Sequence, residues 1–296
     1  MEKDKIEVSI IIINYNTREL TKNCIDSIFY HTLGTHFEVI VIDNASSDGS
    51  YDILSTLEYD NYHYIRNEKN IGFSKANNKA AIRASGEYLF FMNSDMLFVN
   101  DVVSCLLEKI HHNPAIGIVG PKFLNPDGTL QISCRKFPDI VFGLTKFFPC
   151  FKIFFSGKNP EYYQDQRDYS IEQAVDTVSA GALMISRKLF RDIGGFDEFS
   201  FMYAEDADIC RQVRDRGLKI MYTPSAILIH FGGQSSKLNS YKAIWSYYFA
   251  FYHLYKKYYF GMGAIFIKPA FFLRALIGVV GNCFKKDKRV TWNNKS

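Results

Sequence analysis

Glu87–Met96 reads EYLFFMNSDM, and the fold turns on how this stretch is read. Tyr88 to Met92 is uncharged and strand-like and runs straight into Asn93, Ser94 and Asp95, so a buried strand delivers a carboxylate to a sheet edge. Ligands of open α/β sheets bind at that edge. A carboxylate there suits a hard divalent cation, and such a cation bridges the phosphates of a nucleotide-activated substrate. Turn and cap chemistry explains Asn93-Ser94-Asp95 equally well, so the rest of the chain has to choose.

Upstream, Val8–Ile13 (VSIIII) has the continuous β-branched character of a central parallel strand. Asn14-Tyr15-Asn16-Thr17 ends it, and Thr17 is placed to cap a helix carrying Leu20, Cys24 and Ile28. A second strand, Phe37–Ile42, stops at the polar rim Asp43-Asn44-Ala45-Ser46-Ser47-Asp48-Gly49-Ser50. Strand, helix and strand make a βαβ unit. A dinucleotide-binding dehydrogenase is excluded, because the turn after the first strand lacks the glycines that let a backbone approach a pyrophosphate. The rim instead offers carboxylates and amides to a nucleobase or ribose. Asp43, at a strand's carboxyl end, is placed either to accept from a pyrimidine N–H or to stabilise its own turn.

Tyr62–Arg66 reads as a third strand, Asn70-Ile71-Gly72-Phe73-Ser74 turns into a helix lined by Ala76, Ala80, Ala81 and Ala84, and the opening stretch follows as the fourth strand. Beyond Asp95, a helix starts near Asn100-Asp101, and a hairpin turns at Asn125-Pro126-Asp127-Gly128. Val175–Ser186 returns to strand, with Ser179-Ala180-Gly181 allowing close backbone approach. Glu205, Asp206 and Asp208 open a further helix, where the dipole favours anions, although capping alone accounts poorly for adjacent Glu205 and Asp206. Ile220–Tyr222 and Ala226–Ile229 are short strands, the second ending at His230, a structural histidine or a metal ligand.

The 296 residues carry a net charge of +4 that conceals an asymmetry. Nine Lys and Arg stand against one Asp from Lys256 onward, a net +8, so residues 1–255 sum to −4. The basic tail is interleaved with Phe, Tyr, Leu and Ile, which favours an anionic membrane surface over nucleic acid. Lys268, Pro269 and Arg274 argue against a span and for helices in the interface, with Lys285–Arg289 on headgroups. The six cysteines form no CxxC pair and read as reduced thiols of a cytosolic protein. Residues 137–172 lose periodicity and form an apolar, irregular insertion, either a satellite core or a surface meeting lipid or a greasy acceptor.

Val8–Asn16, Val41–Ser50, Asn70–Phe73, Asn93-Ser94-Asp95, Ser179–Ala182, Gly194–Asp208 and His230-Phe231-Gly232-Gly233 together resemble the family 2 glycosyltransferases, in the rhamnosyltransferase-like branch that acts on bacterial polysaccharide precursors. The resemblance covers about residues 6–236. It implies an α/β GT-A fold over residues 1–240, a mostly parallel sheet flanked by helices; the basic, aromatic pattern beyond it reads as amphipathic, aromatic helices in a membrane-associated tail, 241–296.

It also implies an inverting transfer from a nucleotide-sugar, dTDP- or UDP-linked, to a glycan or polyprenyl-diphosphate-linked acceptor at the cytoplasmic face of the membrane. Asp206, with Glu205 beside it, matches the general base. Asn14, Asn16, Asp43, Asn44, Gly72, Asn93, Ser94 and Gly181 match the donor-binding positions, and Asp95 and His230 match the ligands of Mg2+ or Mn2+. The first acid of the family's DXD motif is an amide here, Asn93, which shifts coordination toward His230 and the diphosphate. The Gln-x-x-Arg-Trp signature of processive synthases is missing, so one sugar per acceptor is expected. A UDP-hexose, UDP-N-acetylhexosamine or UDP-galactofuranose donor is an alternative, and a silent scaffold of a polysaccharide-assembly complex is another.

Overall fold

A computed structural model describes residues 5–147, 168–199, 201–232, 240–261, 268–269, 271–277 and 279. In chain order the elements open with β1 (Val8–Asn14), α1 (Arg18–His31), β2 (Phe37–Asp43), α2 (Ser50–Leu54), β3 (Tyr62–Arg66), α3 (Phe73–Arg83) and β4 (Tyr88–Asn93). Then come β5 (Met96–Phe98), α4 (Val102–His111), β6 (Ile116–Leu124), β7 (Leu130–Gln131), β8 (Cys134–Arg135) and α5 (Ile140–Phe147). The chain continues through β9 (Gln173–Val175), β10 (Thr177–Val178), β11 (Ala182–Ser186), α6 (Arg187–Asp192), α7 (Glu205–Arg214), β12 (Lys219–His230) and α8 (Ser240–Tyr255), which passes into a π-helical turn, Lys256–Phe260.

The residues divide into two compact units: Met1–Phe137 with Glu161–Glu198 and Glu205–Ser235, and Pro138–Pro160 with Phe199–Ala204 and Ser236–Ser296. In the first, the main sheet runs β3-β2-β1-β4-β11-β6-β12-β5. β1 pairs in parallel with β2 and β4, and β2 with β3, while β11 enters antiparallel between β4 and β6. Successive residues of β1 point to opposite faces. Ile10 and Ile12 join a core with Cys24, Ile25 and Ile28 of α1, whereas Ile11 joins Ala76 and Ala80 of α3 on the other face. Burial on both faces is why VSIIII has no polar alternation. The alanines of α3 let its axis lie close to the sheet. Gly86 serves the same closeness between backbone segments, since a Cβ there would stand 2.5 Å from the backbone nitrogen of Ser9.

Several local details depart from the sequence reading. Asp95 leads into a short strand, β5, that pairs antiparallel with the end of β12 before α4 begins. The two strands expected at 220–222 and 226–229 are one, β12, which keeps its pairing to β6 across irregularities at Lys219/Ile220 and Thr223/Ile227. Val175–Ser186 is broken into β9, β10 and β11. Thr17 does not cap α1. Its hydroxyl bonds Asn14 Oδ1 and Ser94 Oγ, and the Asp48 carboxylate from the β2–α2 loop accepts from Arg18 N at 2.9 Å instead.

In the second unit, Gly143 lies against the Tyr255 ring, whose hydroxyl donates to the Asp139 carbonyl at 2.9 Å. Phe142 packs near Phe251, and Tyr252 near Phe271. Phe271 and Ala275 are buried, while Phe272, Leu273, Leu276 and Ile277 stay exposed. Among the described residues no helix is long and apolar enough to cross a membrane. Residues 148–167, which hold most of the insertion expected at 137–172, and Lys285–Arg289 lie outside the described residues.

A buried carboxylate ties the amino ends of the strands together. Glu38 accepts from the Ser9 hydroxyl (2.6 Å) and from the backbone N–H and hydroxyl of Ser85 (2.7 Å each), with His63 at 3.4 Å. Burial pushes this carboxyl up, but the hydrogen bonds and His63 outweigh it and hold it below the ordinary range. Its stabilising contribution is therefore complete above the unfolded value of about 4.3 and is lost as pH falls through the lower folded value. Glu38→Gln should cost about 1–3 kcal/mol near neutral pH and flatten the acid limb of stability below about pH 4.3. Urea midpoints measured against pH check this, and parallel curves for variant and wild type would refute it.

Candidate active site

The carboxyl ends of β1, β2 and β4 sit side by side, with Asn14 opposite Asp43 and Ile13 opposite Asn93. Strand order reverses at β1, the place where an open α/β sheet forms its ligand crevice. Asp43 is fully buried there. Its Oδ1 accepts from Asn14 Nδ2 (2.9 Å) and from the backbone and hydroxyl of Ser46 (3.2 and 2.5 Å); its Oδ2 accepts from Tyr64 (2.9 Å) and has Arg66 Nε at 3.6 Å. Burial, together with the hydrogen bond to Asp43, pushes the Tyr64 hydroxyl well above its ordinary value, so it remains a donor. The sequence left open whether Asp43 meets a base or holds its own turn. In this structure its oxygens are all engaged within the protein, and Arg66, in register with it on β3, is the half-exposed group at that rim.

Asn14 is the hub of this edge. Its Nδ2 reaches Asp43 and Ser46 Oγ (3.0 Å), and its Oδ1 accepts from the hydroxyls of Thr17 (2.9 Å) and Thr21 (2.8 Å). Ser94 joins through Thr17 at 2.9 Å. Asn16, in a left-handed conformation, takes Ser47 N on its Oδ1 at 2.8 Å. Asn44 donates to the Gly72 carbonyl (3.2 Å) and accepts from Asn67 (2.8 Å), which holds the loop entering α3. Gly72 has φ 88°, a conformation costly for any other residue. Gly181 accepts from Asn93 N at 2.7 Å, and a Cβ on it would come within 3.2 Å of the Asn93 amide.

Asp95 and His230 come together where β5 meets the end of β12. His230 Nε2 lies 3.3 Å from Asp95 Oδ1, and the Asp95 carbonyl takes Phe231 N at 2.9 Å. The Nε2 atom is buried and has no hydrogen-bond partner among the described residues. An imidazole nitrogen and a carboxylate oxygen across a small gap are one nitrogen and one oxygen of the kind that a divalent cation takes as ligands. Among the described residues no third His, Cys, Asp or Glu joins them, so further coordination falls to substrate phosphate and water.

Glu205 and Asp206 open α7, directly after two consecutive left-handed residues, Tyr203 (φ 77°) and Ala204 (φ 63°). Asp206 Oδ1 accepts from Ala207 N at 2.8 Å. Burial raises its carboxyl above the ordinary range, and the positive charge of Arg135 on β8 opposes that rise. Asp208 is buried and accepts from Gln212 at 2.8 Å, one turn along the helix, which leaves it a structural task. The glycine-rich segment ahead of this helix is clamped from α3: Asn78 accepts from Phe196 N and donates to the Phe196 carbonyl, both at 2.9 Å.

Sequence reasoning missed Ser46, Tyr64, Arg66, Asn67, Asn78, Arg135 and Gln131. Arg66 and Asn67 carried a usable signal, since they end a parallel strand beside Asp43. Ser46 meets Asp43 three residues away, inside the polar rim, whereas Tyr64, Gln131, Arg135 and Asn78 act through contacts 21 to 118 residues away in sequence, which periodicity does not register.

A profile described as "Glycosyl transferase family 2" matches residues 9–194. An N-acetylglucosaminyl-diphospho-decaprenol L-rhamnosyltransferase of Mycobacterium tuberculosis is 28% identical over 216 residues, 67% of this chain and 67% of its own. Rhamnosyltransferase WbbL of Escherichia coli is 25% identical over 238 residues, 78% of this chain and 85% of its own. Among solved structures, a mannosyltransferase of Pyrobaculum calidifontis in complex with GDP-Man and Mn2+ gives a TM-score of 0.59 at 16% identity, covering 94% of this chain and 75% of that one. GalNAc-T7 with UDP, GalNAc and Mn2+ gives the same score and identity over 77% of this chain and 44% of its own. These two likenesses speak for the GT-A fold. With more than half of the chain matched by the profile, the protein belongs to glycosyltransferase family 2 and is a glycosyltransferase.

Proposed function

We propose that the protein is an inverting, non-processive glycosyltransferase that moves one sugar, rhamnose first among the candidates, from a dTDP- or UDP-linked donor to a polyprenyl-diphosphate-linked glycan at the cytoplasmic membrane surface. The observation that carries this reading is the Asp95–His230 pair at the carboxyl edge of the sheet. The names of the two rhamnosyltransferase relatives support the sugar and the lipid-linked acceptor.

The pair fits Mg2+ or Mn2+, which when bound supplies positive charge to the departing diphosphate. The chain's own groups do the rest. The rim ordered by Asn14, Asn16, Asp43, Asn44 and Gly72 receives the nucleoside, with Arg66 at the base, and Asn93, Ser94 and Gly181 line the sugar-diphosphate side. Asp206 accepts the proton of the acceptor hydroxyl as its oxygen bonds to the anomeric carbon. The bond from that carbon to the diphosphate oxygen breaks on the opposite face and the electron pair leaves with the nucleoside diphosphate, so the configuration inverts. Glu205 stands beside the base. In the second unit, exposed Phe272, Leu273, Leu276 and Ile277 provide an apolar face for the bilayer, next in sequence to the basic residues 285–289.

Thermal stabilisation by a panel of dTDP-, UDP- and GDP-sugars, with Mn2+ or with EDTA, tests the class. A donor at 100 times its dissociation constant adds about 2.7 kcal/mol. A metal-dependent shift with one sugar nucleotide names the donor, and no shift with any would favour a non-catalytic scaffold. Base catalysis contributes about 10²–10⁴ in rate, so Asp206→Asn should lose that factor in kcat while retaining donor binding. Because Arg135 lowers the Asp206 carboxyl, Arg135→Met should move the acid limb of the kcat/KM profile to higher pH; an unmoved limb would assign the base elsewhere. Serine at Phe272, Leu273, Leu276 and Ile277 together should abolish sedimentation with anionic phosphatidylglycerol vesicles, and retained binding would remove this face from the membrane contact.

A further inference from the structure

The hairpin that joins β6 to β7 delivers one side chain to the back of His230. Gln131, paired in register with Phe123, places its Oε1 2.5 Å from His230 Nδ1. Its Nε2 stands 2.8 Å from Asn125 Oδ1 and 3.2 Å from the His230 backbone carbonyl. That carbonyl is an acceptor under every assignment, so the atom facing it must be the amide nitrogen, and the atom facing the imidazole must be the amide oxygen. Nδ1 of His230 therefore has to carry a proton, which it donates to Gln131. In the neutral ring this leaves Nε2 as a bare lone pair, 3.3 Å from Asp95 Oδ1.

The other tautomer would behave differently. With its proton on Nε2, His230 would turn a donor into the gap beside Asp95, where a cation needs an acceptor. A side chain that merely packed behind His230 would not prevent this.

We infer that Gln131 is a positioning residue, which holds His230 as the Nδ1–H tautomer so that Nε2 and Asp95 present two acceptors to a divalent cation. This rests on the reading of Asp95 and His230 as metal ligands, and extends it to the residue behind them. Groups that orient a ligating histidine typically carry about a 10–100-fold share of metal affinity. The loop is built for the task. Its turn is closed by Asn125 N bonding the Thr129 carbonyl (2.8 Å), and Asp127 accepts from both the backbone and the hydroxyl of Thr129, which fixes where β7 begins.

The test pairs two variants with two measurements. Gln131→Leu removes the acceptor for Nδ1–H. Gln131→Glu keeps an acceptor there but cannot donate to Asn125 or to the His230 carbonyl. Mn2+ binding is followed by electron paramagnetic resonance, with the metal alone and with dTDP or UDP present. The tautomer is read by nitrogen-15 NMR of metal-free, histidine-labelled protein at about pH 9, where free imidazole is neutral. The expected result is an unprotonated Nε2 in the wild type and in Gln131→Glu with near wild-type Mn2+ affinity in both, and in Gln131→Leu a protonated Nε2 with affinity about 10–100-fold weaker.

Equal losses in Gln131→Glu and Gln131→Leu would make Gln131 a brace for the hairpin and overturn the inference. So would a protonated Nε2 in the wild type, or Mn2+ affinity unchanged in Gln131→Leu. A wild type that binds no Mn2+ under either condition would overturn the metal reading itself and take the inference with it.

Discussion

A carboxylate with no access to water governs the carboxyl edge of this sheet. An unpaired charge at the position of Asp43 would be prohibitively costly, so the residues around it are chosen to donate: Asn14, Ser46 through two groups, Tyr64 and, at longer range, Arg66. The donors come from three different parts of the chain. Asn14 ends β1, Ser46 lies in the loop after β2, and Tyr64 and Arg66 sit on β3. Satisfying one charge thus fixes three strand ends and a loop relative to each other. Asn14 passes the constraint on through Thr17 to Ser94 and so to the turn that carries Asp95.

Much of the architecture was legible for a simple reason: strands buried on both faces must be continuously apolar, and VSIIII, FEVIVI and YLFFM are. The carboxylates and amides that end those runs fell at the sheet edge for the same reason. What was not legible depended on partners distant in sequence. Thr17 has the residue type and position of a helix cap, yet its hydroxyl is drawn to Asn14 and Ser94, and Asp48, thirty residues on from Arg18, takes the vacant amide. β5 is three residues long and exists only because the end of β12 lies alongside it. Local propensity has no access to either fact.

The candidate site divides into groups that are satisfied and groups that are not. Asn14, Asp43, Asn44 and Ser94 match family positions, but their hydrogen-bonding capacity is largely spent inside the protein, which makes them a preorganised frame. Nε2 of His230 differs from these four: it is buried against Asp95 with no hydrogen-bond partner among the described residues. Proteins seldom retain such an atom without a use for it. The contrast separates the residues proposed to frame the nucleotide from the pair proposed to hold a cation, a distinction that motif matching alone does not make.

The proposed base shows how two opposed forces can be set against each other. A carboxylate at its ordinary pKa is a weak base, and burial of Asp206 strengthens it by raising that value. The charge of Arg135 pulls in the other direction and offsets part of that rise. Tyr203 and Ala204, both left-handed immediately before Glu205, add a backbone cost of order 1–3 kcal/mol per residue that the surrounding fold must sustain. A helix start needs no such turn merely to be capped. A raised carboxyl with an opposing arginine at one helix terminus is what the proposed base calls for, and more than a simple acidic cap needs.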